Sequence, residues 1–209
     1  MENITERISF KNEILRKLVH LASSFVPVFY LLTDKYFTLI LLTFCVAFML
    51  FLDIGRYKSA AVNKYYIKFL KPVLRQKEEK TNKFLFTGGT FVFISDLLCV
   101  LIFPKEIAIA AMFVMIFCDS FAAIVGKSIG KLKINNKTLE GTLAFIVSGF
   151  FLSLILPKYT NSNFEYYIFI FVIVLTALIE LIEFKIDDNL IIPLLFGSLY
   201  WFSVWLFIL

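Results

Sequence analysis

Residues 118–149, CDSFAAIVGKSIGKLKINNKTLEGTLAFIVSG, hold the densest set of chemically capable side chains in the chain. Asp119 ends a membrane-length apolar run and is expected at the end of its helix. Gly126, Lys127, Gly130, Lys131 and Lys137 come after it, and Lys137-Thr138-Leu139-Glu140-Gly141 opens the next apolar run. A carboxylate beside lysines suits a Mg²⁺-nucleotide. Mg²⁺ takes one or two carboxylates together with phosphate oxygens and waters, and the lysines offset phosphate charge. This makes Asp119 the candidate metal ligand. Thr138 is placed to cap the following helix, whose positive end would face an anion. Glu140 is a dipole-favoured acid, a metal ligand or a lysine orienter. The plain alternative is a helix-end aspartate followed by lysines that only orient the chain in a membrane. Gly126-Lys127-Ser128-Ile129-Gly130-Lys131 is not a Walker loop. Three residues rather than four separate its glycines, and Leu132 stands where Ser or Thr is required. The glycines, Gly141 included, still permit close approach of backbone N–H groups to phosphate.

Two further clusters carry charge in an apolar setting. Arg16 and His20 share a helix face, with Lys17 three positions before His20. Such a group is an orientation signal, or a set of phosphate-facing cations. Glu180 and Glu183 lie one turn apart, and Asp187-Asp188-Asn189-Leu190-Ile191-Ile192-Pro193 stands just beyond them. These carboxylates suit a second metal or a general base toward a hydroxyl. A wet loop with a helix cap accounts for Asp188 and Asn189 equally well. Asp53 and Arg56, at i and i+3, read as an interfacial ion pair. Asp96 lies in mid-run and is expected to face a bundle interior.

The elements that position these residues can be read from composition. The chain has 209 residues, 60% of them hydrophobic, with 26 phenylalanines and a mean hydropathy of +0.84. A soluble domain would have too little polar surface, so the expectation is an integral membrane protein. At about 20 residues per span the length admits about seven helices. The runs are about 18–33, 37–52, 84–103, 107–125, 139–156, 166–182 and 190–209. The fold class is therefore all-α: a polytopic bundle forming one domain over residues 1–209. The N-terminal segment lacks the pattern of a cleaved signal peptide. Cys45, Cys99 and Cys118 lie in or beside apolar runs and read as reduced, buried residues.

Lys and Arg are distributed unevenly. Four precede the first run (Arg7, Lys11, Arg16, Lys17), nine lie in 56–83, four in 127–137, and Lys185 comes after run six. The alternate loops hold only Lys35, Lys105 and Lys158. This puts the N-terminus in the cytoplasm and the C-terminus outside, with every motif at the cytoplasmic face. Residues 57–83 are too polar to span. They read as an interfacial amphipathic helix broken at Pro72, meeting anionic head groups, or as a solvated basic loop. The membrane is thus an expected partner and nucleic acid is not; self-association stays open.

Taken together, these motifs resemble the CTP-dependent lipid-alcohol kinase family, which includes dolichol, phytol and CTP-dependent diacylglycerol kinases. Glu13-Ile14-Leu15-Arg16-Lys17-Leu18-Val19-His20 is similar to its opening motif. Asp119 through Gly126, Gly130-Lys131 and Lys137 through Thr142 resemble its central motif, and Glu180 with Asp187 through Pro193 its C-terminal one. The likeness spans roughly residues 13–197. Cys118 departs from the glycine usual there, and Lys133-Ile134-Asn135-Asn136 is compact. The central motif also resembles phosphatidate cytidylyltransferase, but Asn135-Asn136 replace that enzyme's Ser-Pro, and its C-terminal signature is missing.

The resemblance implies CTP-dependent phosphorylation of a lipid alcohol, with Mg²⁺ or another divalent cation at Asp119. Lys127, Lys131 and Lys137 would cradle phosphates, and Gly126, Thr138 and Gly141 would shape the pocket. Arg16 and Lys17 would neutralise charge developing on the transferred group. Glu140 or the Glu180–Asp188 cluster would supply the base or a second metal site. Two alternatives stand beside it: a cytidylyltransferase forming CDP-diacylglycerol, and a transporter.

Overall fold

The computed structural model describes residues 10–74, 78, 84–160, 162–182 and 186–208. Each apolar run forms helix, because backbone polar groups in hydrocarbon must be satisfied within the segment itself. The order is α1 (Phe10–Ala22), α2 (Phe25–Leu32), α3 (Lys35–Lys58), α4 (Ala60–Leu70), α5 (Gly88–Ile102), α6 (Lys105–Phe113), a π turn (Val114–Cys118) and α7 (Asp119–Ser128). A short hairpin of β1 (Lys133–Ile134) and β2 (Lys137–Thr138) comes next, then α8 (Leu139–Ile155), α9 (Phe164–Glu180) and α10 (Asp188–Phe207). Four stretches are long and apolar enough to cross a membrane: Asn12–Leu32, Lys35–Lys58, Lys105–Ser128 and Asp188–Phe207. The protein is an integral membrane protein.

The rod Lys105–Ser128 is the axis of the bundle. From Ile107 to Ser120 only Phe117 escapes full burial, and α5, α8 and α10 pack around it. The small side chains of Ala108, Ala110 and Ala111 let these neighbours approach. By contrast, α3 turns Ile40, Phe44, Phe48 and Phe51 outward, each at least 52% exposed. That stripe belongs against lipid, since a water-facing patch of this kind would be an association surface. Cys99 and Cys118 are buried, Cys45 is half-buried, and all three are free thiols.

The structure corrects several boundaries. α1 begins at Phe10, so Arg16 and Lys17 lie inside the first spanning stretch, with His20, rather than before it. Asp119 does not end its helix; the rod continues to Ser128. The all-α expectation holds, with the short Lys133–Thr138 hairpin as the strand pair among the described residues. Residues 57–83 contain the helix α4, capped by Ser59, with Pro72 in the turn beyond it. Residues 75–77 and 79–83 of that segment lie outside the described residues.

Asp53 and Arg56 are more than an ion pair. Asp53 Oδ2 accepts from the Thr87 N–H at 2.9 Å and from Thr90 Oγ1 at 2.7 Å, and Glu78 Oε1 accepts from the Gly88 N–H at 3.0 Å. Two carboxylates from other segments thus cap the start of α5, where the helix dipole favours them. Arg56 donates to the Glu78 and Leu85 carbonyls at 2.9 and 3.1 Å and lies 3.7 Å from Asp53. The network fixes the approach to α5 onto α3. Asp53→Ala leaves buried Arg56 without its carboxylate. The expected loss is about 3–5 kcal/mol, read as a lower thermal-unfolding midpoint in detergent; an unchanged midpoint would refute this role.

Candidate active site

A cavity of about 240 Å³ opens where α1, α7, the hairpin, α8, α9 and α10 converge. Four cations line it, Arg16, Lys17, Lys127 and Lys137, and so do four carboxylates, Glu13, Asp119, Glu180 and Asp188. The cations are held by the acids. Lys17 donates to Asp119 in a direct ion pair. Glu13 accepts from Arg16 and, at 2.5 Å, from Lys127. Lys137 lies 2.8 Å from Glu180 and 3.2 Å from Asp188. Burial alone would lower the Lys137 pKa, but Glu180 and Asp188 outweigh it and hold the ammonium above the ordinary lysine value. Lys137 is therefore charged at neutral pH.

Local sequence explains each position. The π turn directly precedes Asp119. A π turn carries i→i+5 bonding and rotates the residues beyond it, and here the Met115 carbonyl meets His20 Nε2 at 3.4 Å. His20 Nε2 also lies 3.9 Å from Asp119 Oδ2, so α1 approaches the rod through both Lys17 and His20. Lys137 is delivered by the hairpin, which pairs Lys133 with Thr138 and Ile134 with Lys137. Its turn is Asn135-Asn136, and Asn135 has φ 55°, a left-handed value that asparagine tolerates. Asn135 Nδ2 donates to the Leu181 carbonyl at 3.1 Å, docking the hairpin on the end of α9. Thr138 then caps α8 by accepting from the Gly141 N–H at 3.2 Å.

Glycines set the crossing of α7 and α8. A Cβ on Gly141 would come 2.8 Å from the Ala122 carbonyl oxygen, and one on Gly126 would come 2.7 Å from Thr138 Oγ1. Close approach is thus realised between two backbones beneath the pocket.

Of the residues singled out in the sequence, Arg16, Lys17, Asp119, Gly126, Lys127, Lys137, Thr138, Gly141, Glu180, Asp188 and Asn189 all line this cavity. Others stand apart. Glu140 turns to the preceding loop, accepting from the Lys131 N–H at 2.9 Å and the Leu132 N–H at 3.3 Å. It braces that loop rather than facing the pocket. Lys131 is exposed and Gly130 sits behind Thr138. Asp187 caps α10 through the Asn189 N–H at 3.2 Å. His20 lines a neighbouring cavity, and Asp53 and Arg56 belong to the α3–α5 network. Asp96 is buried in α5 away from both cavities. Glu183 lies outside the described residues. Sequence reasoning misses Glu13 as a site residue: it is 2% exposed and joins Arg16 to Lys127. Its i,i+3 spacing to Arg16 is visible in the chain; its contact with Lys127, 114 positions away, is not.

Among the described residues no three His, Cys, Asp or Glu side chains form a metal cage. A cation here would share one or two carboxylates with phosphate and water, and these hard oxygen donors fit Mg²⁺.

No protein-family model matches the chain, and no solved structure matches it significantly. An uncharacterised protein of Rickettsia prowazekii is 30% identical over 192 residues, 91% of this chain and 93% of the relative. A CTP-dependent diacylglycerol kinase 1 of Eremothecium gossypii is 28% identical over 163 residues, 73% of this chain. The chain covers 50% of that kinase's length. A probable chloroplastic phytol kinase of Triticum aestivum is 29% identical over 213 residues, 91% of this chain and 67% of the relative.

The crossing gives a direct test. Gly141→Ala forces a methyl against a backbone oxygen that cannot swing aside, so stability should fall by about 1–3 kcal/mol. Ser128→Ala, on the exposed end of α7, should change little. Equal unfolding midpoints for the two variants would remove the crossing as a constraint.

Proposed function

The chain belongs to the CTP-dependent lipid-alcohol kinase family, and from that premise we propose that it transfers the γ-phosphate of CTP to a membrane lipid alcohol at the cytoplasmic face. The observation that carries this reading is the charge-paired pocket. It gathers four cations from three separate segments, α1, α7 and the hairpin, each already held by a carboxylate. A purely structural set of ion pairs has no need of a shared cavity, whereas a triphosphate site does.

On this reading Lys17, Lys127, Lys137 and Arg16 exchange carboxylate partners for phosphate oxygens. Asp119 and Glu180 would hold a divalent cation such as Mg²⁺, which supplies charge neutralisation on the β- and γ-phosphates. The lipid hydroxyl oxygen attacks the γ-phosphorus, the bond from phosphorus to the bridging oxygen breaks, and CDP leaves. Asp188, beside Asn189, accepts the hydroxyl proton. Arg16 and Lys17 face the charge that spreads over the transferred group, since positioned electrostatics are the main contribution a protein makes to this chemistry. The excess of Lys and Arg in 56–83 and 127–137 supports the cytoplasmic side. The pocket residues and α4 would act within one membrane-embedded kinase domain, with α4 lying at the interface.

CTP labelled on the γ-phosphate, incubated with purified protein and a panel of lipid alcohols, should label the lipid. Label entering lipid only from α-labelled CTP would mean cytidylyl transfer instead. Asp119→Asn should lower the γ-transfer rate by about a hundred-fold or more. Full activity in that variant would remove Asp119 from the site.

A further inference from the structure

A second cavity, of about 410 Å³, lies beside the first and shares Arg16, Lys17 and Asn189 with it. Away from that shared end its wall is largely carbon, from Val19 and Phe25 of the first span, Met49 of α3, Leu70 of α4, and Val92 and Phe93 of α5. The hydrogen-bonding groups in the wall are engaged within the protein. Ser23 Oγ donates to the His20 carbonyl at 2.6 Å. Thr87 Oγ1 lies 3.1 Å from Thr90 Oγ1, and Asn189 Nδ2 donates to the Gly88 carbonyl at 3.3 Å. Gly89 keeps the space clear: a Cβ there would come 2.9 Å from the Met49 methyl.

The cavity opens sideways. Val19 and Phe25 line it and are also 58% and 46% exposed, and both lie within the stretch Asn12–Leu32 that is fit to cross a bilayer. Tyr66 and Leu70 of α4 also line it. At about 30 Å³ per heavy atom, the volume holds roughly fourteen.

We infer that this cavity is the acceptor site, and that it takes the hydroxyl end and first dozen or so carbons of a single-chain lipid alcohol. The inference rests on the kinase reading. The hydroxyl sits at the Arg16–Lys17 end, where the γ-phosphate is presented. The chain leaves past Val19 and Phe25, and its remainder stays in the bilayer. A diacylglycerol fits worse, because its two ester carbonyls would be buried against carbon and against donors already bonded.

The test uses the intact protein in lipid nanodiscs and a long single-chain alcohol with a diazirine a few carbons from its hydroxyl. Irradiation without CTP should label peptides of α1 and α5, and unlabelled alcohol should compete. Label confined to α8 and α9 would overturn the site. Competition by diacylglycerol as strong as by the alcohol would overturn the single-chain specificity. Val19→Trp should raise the KM for the alcohol about ten-fold with CTP binding unchanged; an unchanged KM counts against the cavity. The labelling needs no turnover. Cavity labelling in a protein that transfers no γ-phosphate would retain the alcohol site and sink the kinase reading. Transfer with label elsewhere would do the reverse.

Discussion

Lys17 and Asp119 meet across 102 positions of sequence, inside two stretches fit to cross a membrane. Neither charge is tolerable there alone. An uncompensated ion in a low-dielectric interior costs several kcal/mol even after relaxation. α1 can therefore pack on the rod only in the register that brings these two groups together. The same constraint extends outward. Glu13 draws in Lys127 from the end of α7, and Lys137 draws the hairpin onto Glu180 and Asp188. Lipid tails give helices no hydrophobic reason to choose one neighbour over another. Charge pairing supplies that choice and places the polar cluster at one end of the bundle.

Close backbone approach is the second half of the arrangement. Side chains of ordinary size between α7 and α8 would move Thr138 and Lys137 away from Asp119. Gly126 and Gly141 remove that barrier, and the cap at Thr138 fixes where α8 begins. The π turn before Asp119 acts on the same geometry from the other side. It lets the rod stay buried along its apolar length while turning one carboxylate toward α1.

Much of this is written locally. The apolar runs mark the helices, since a long segment that is apolar on every face has no other membrane-compatible form. Thr138 before Leu139-Glu140-Gly141 reads as a cap and is one. What local sequence does not carry is distance. Glu13 looks like part of an opening motif until the fold sets it against Lys127. Glu140, with an acid's usual options, is claimed by two backbone N–H groups of a loop whose path depends on the hairpin. The hairpin itself rests on Asn135-Asn136, a short turn signal between strands of only two residues each, too brief for alternation to register. The second cavity is formed by α1, α3, α4 and α5 together, and no segment alone contains its outline.

On the kinase reading, four carboxylates in a pocket for phosphate need a physical reason, because an anion should be repelled by them. Two opposite charges about 4 Å apart attract by roughly 4 kcal/mol at an effective dielectric of 20, and like charges repel equally. With four acids matched to four cations, the pocket lacks the excess positive charge that would draw in a bare triphosphate. Asp119 and Glu180 would hold a divalent cation, whose charge would offset theirs and leave Lys17 and Lys137 free to face phosphate. On the kinase reading the acids therefore make nucleotide binding conditional on the metal, and they keep the lysines ordered and neutralised when neither is present. A pocket of lysines alone would attract phosphate more strongly, but it would leave unpaired cations at membrane depth in the empty protein. The paired arrangement avoids that cost while, on the kinase reading, keeping each cation within one exchange of a phosphate oxygen.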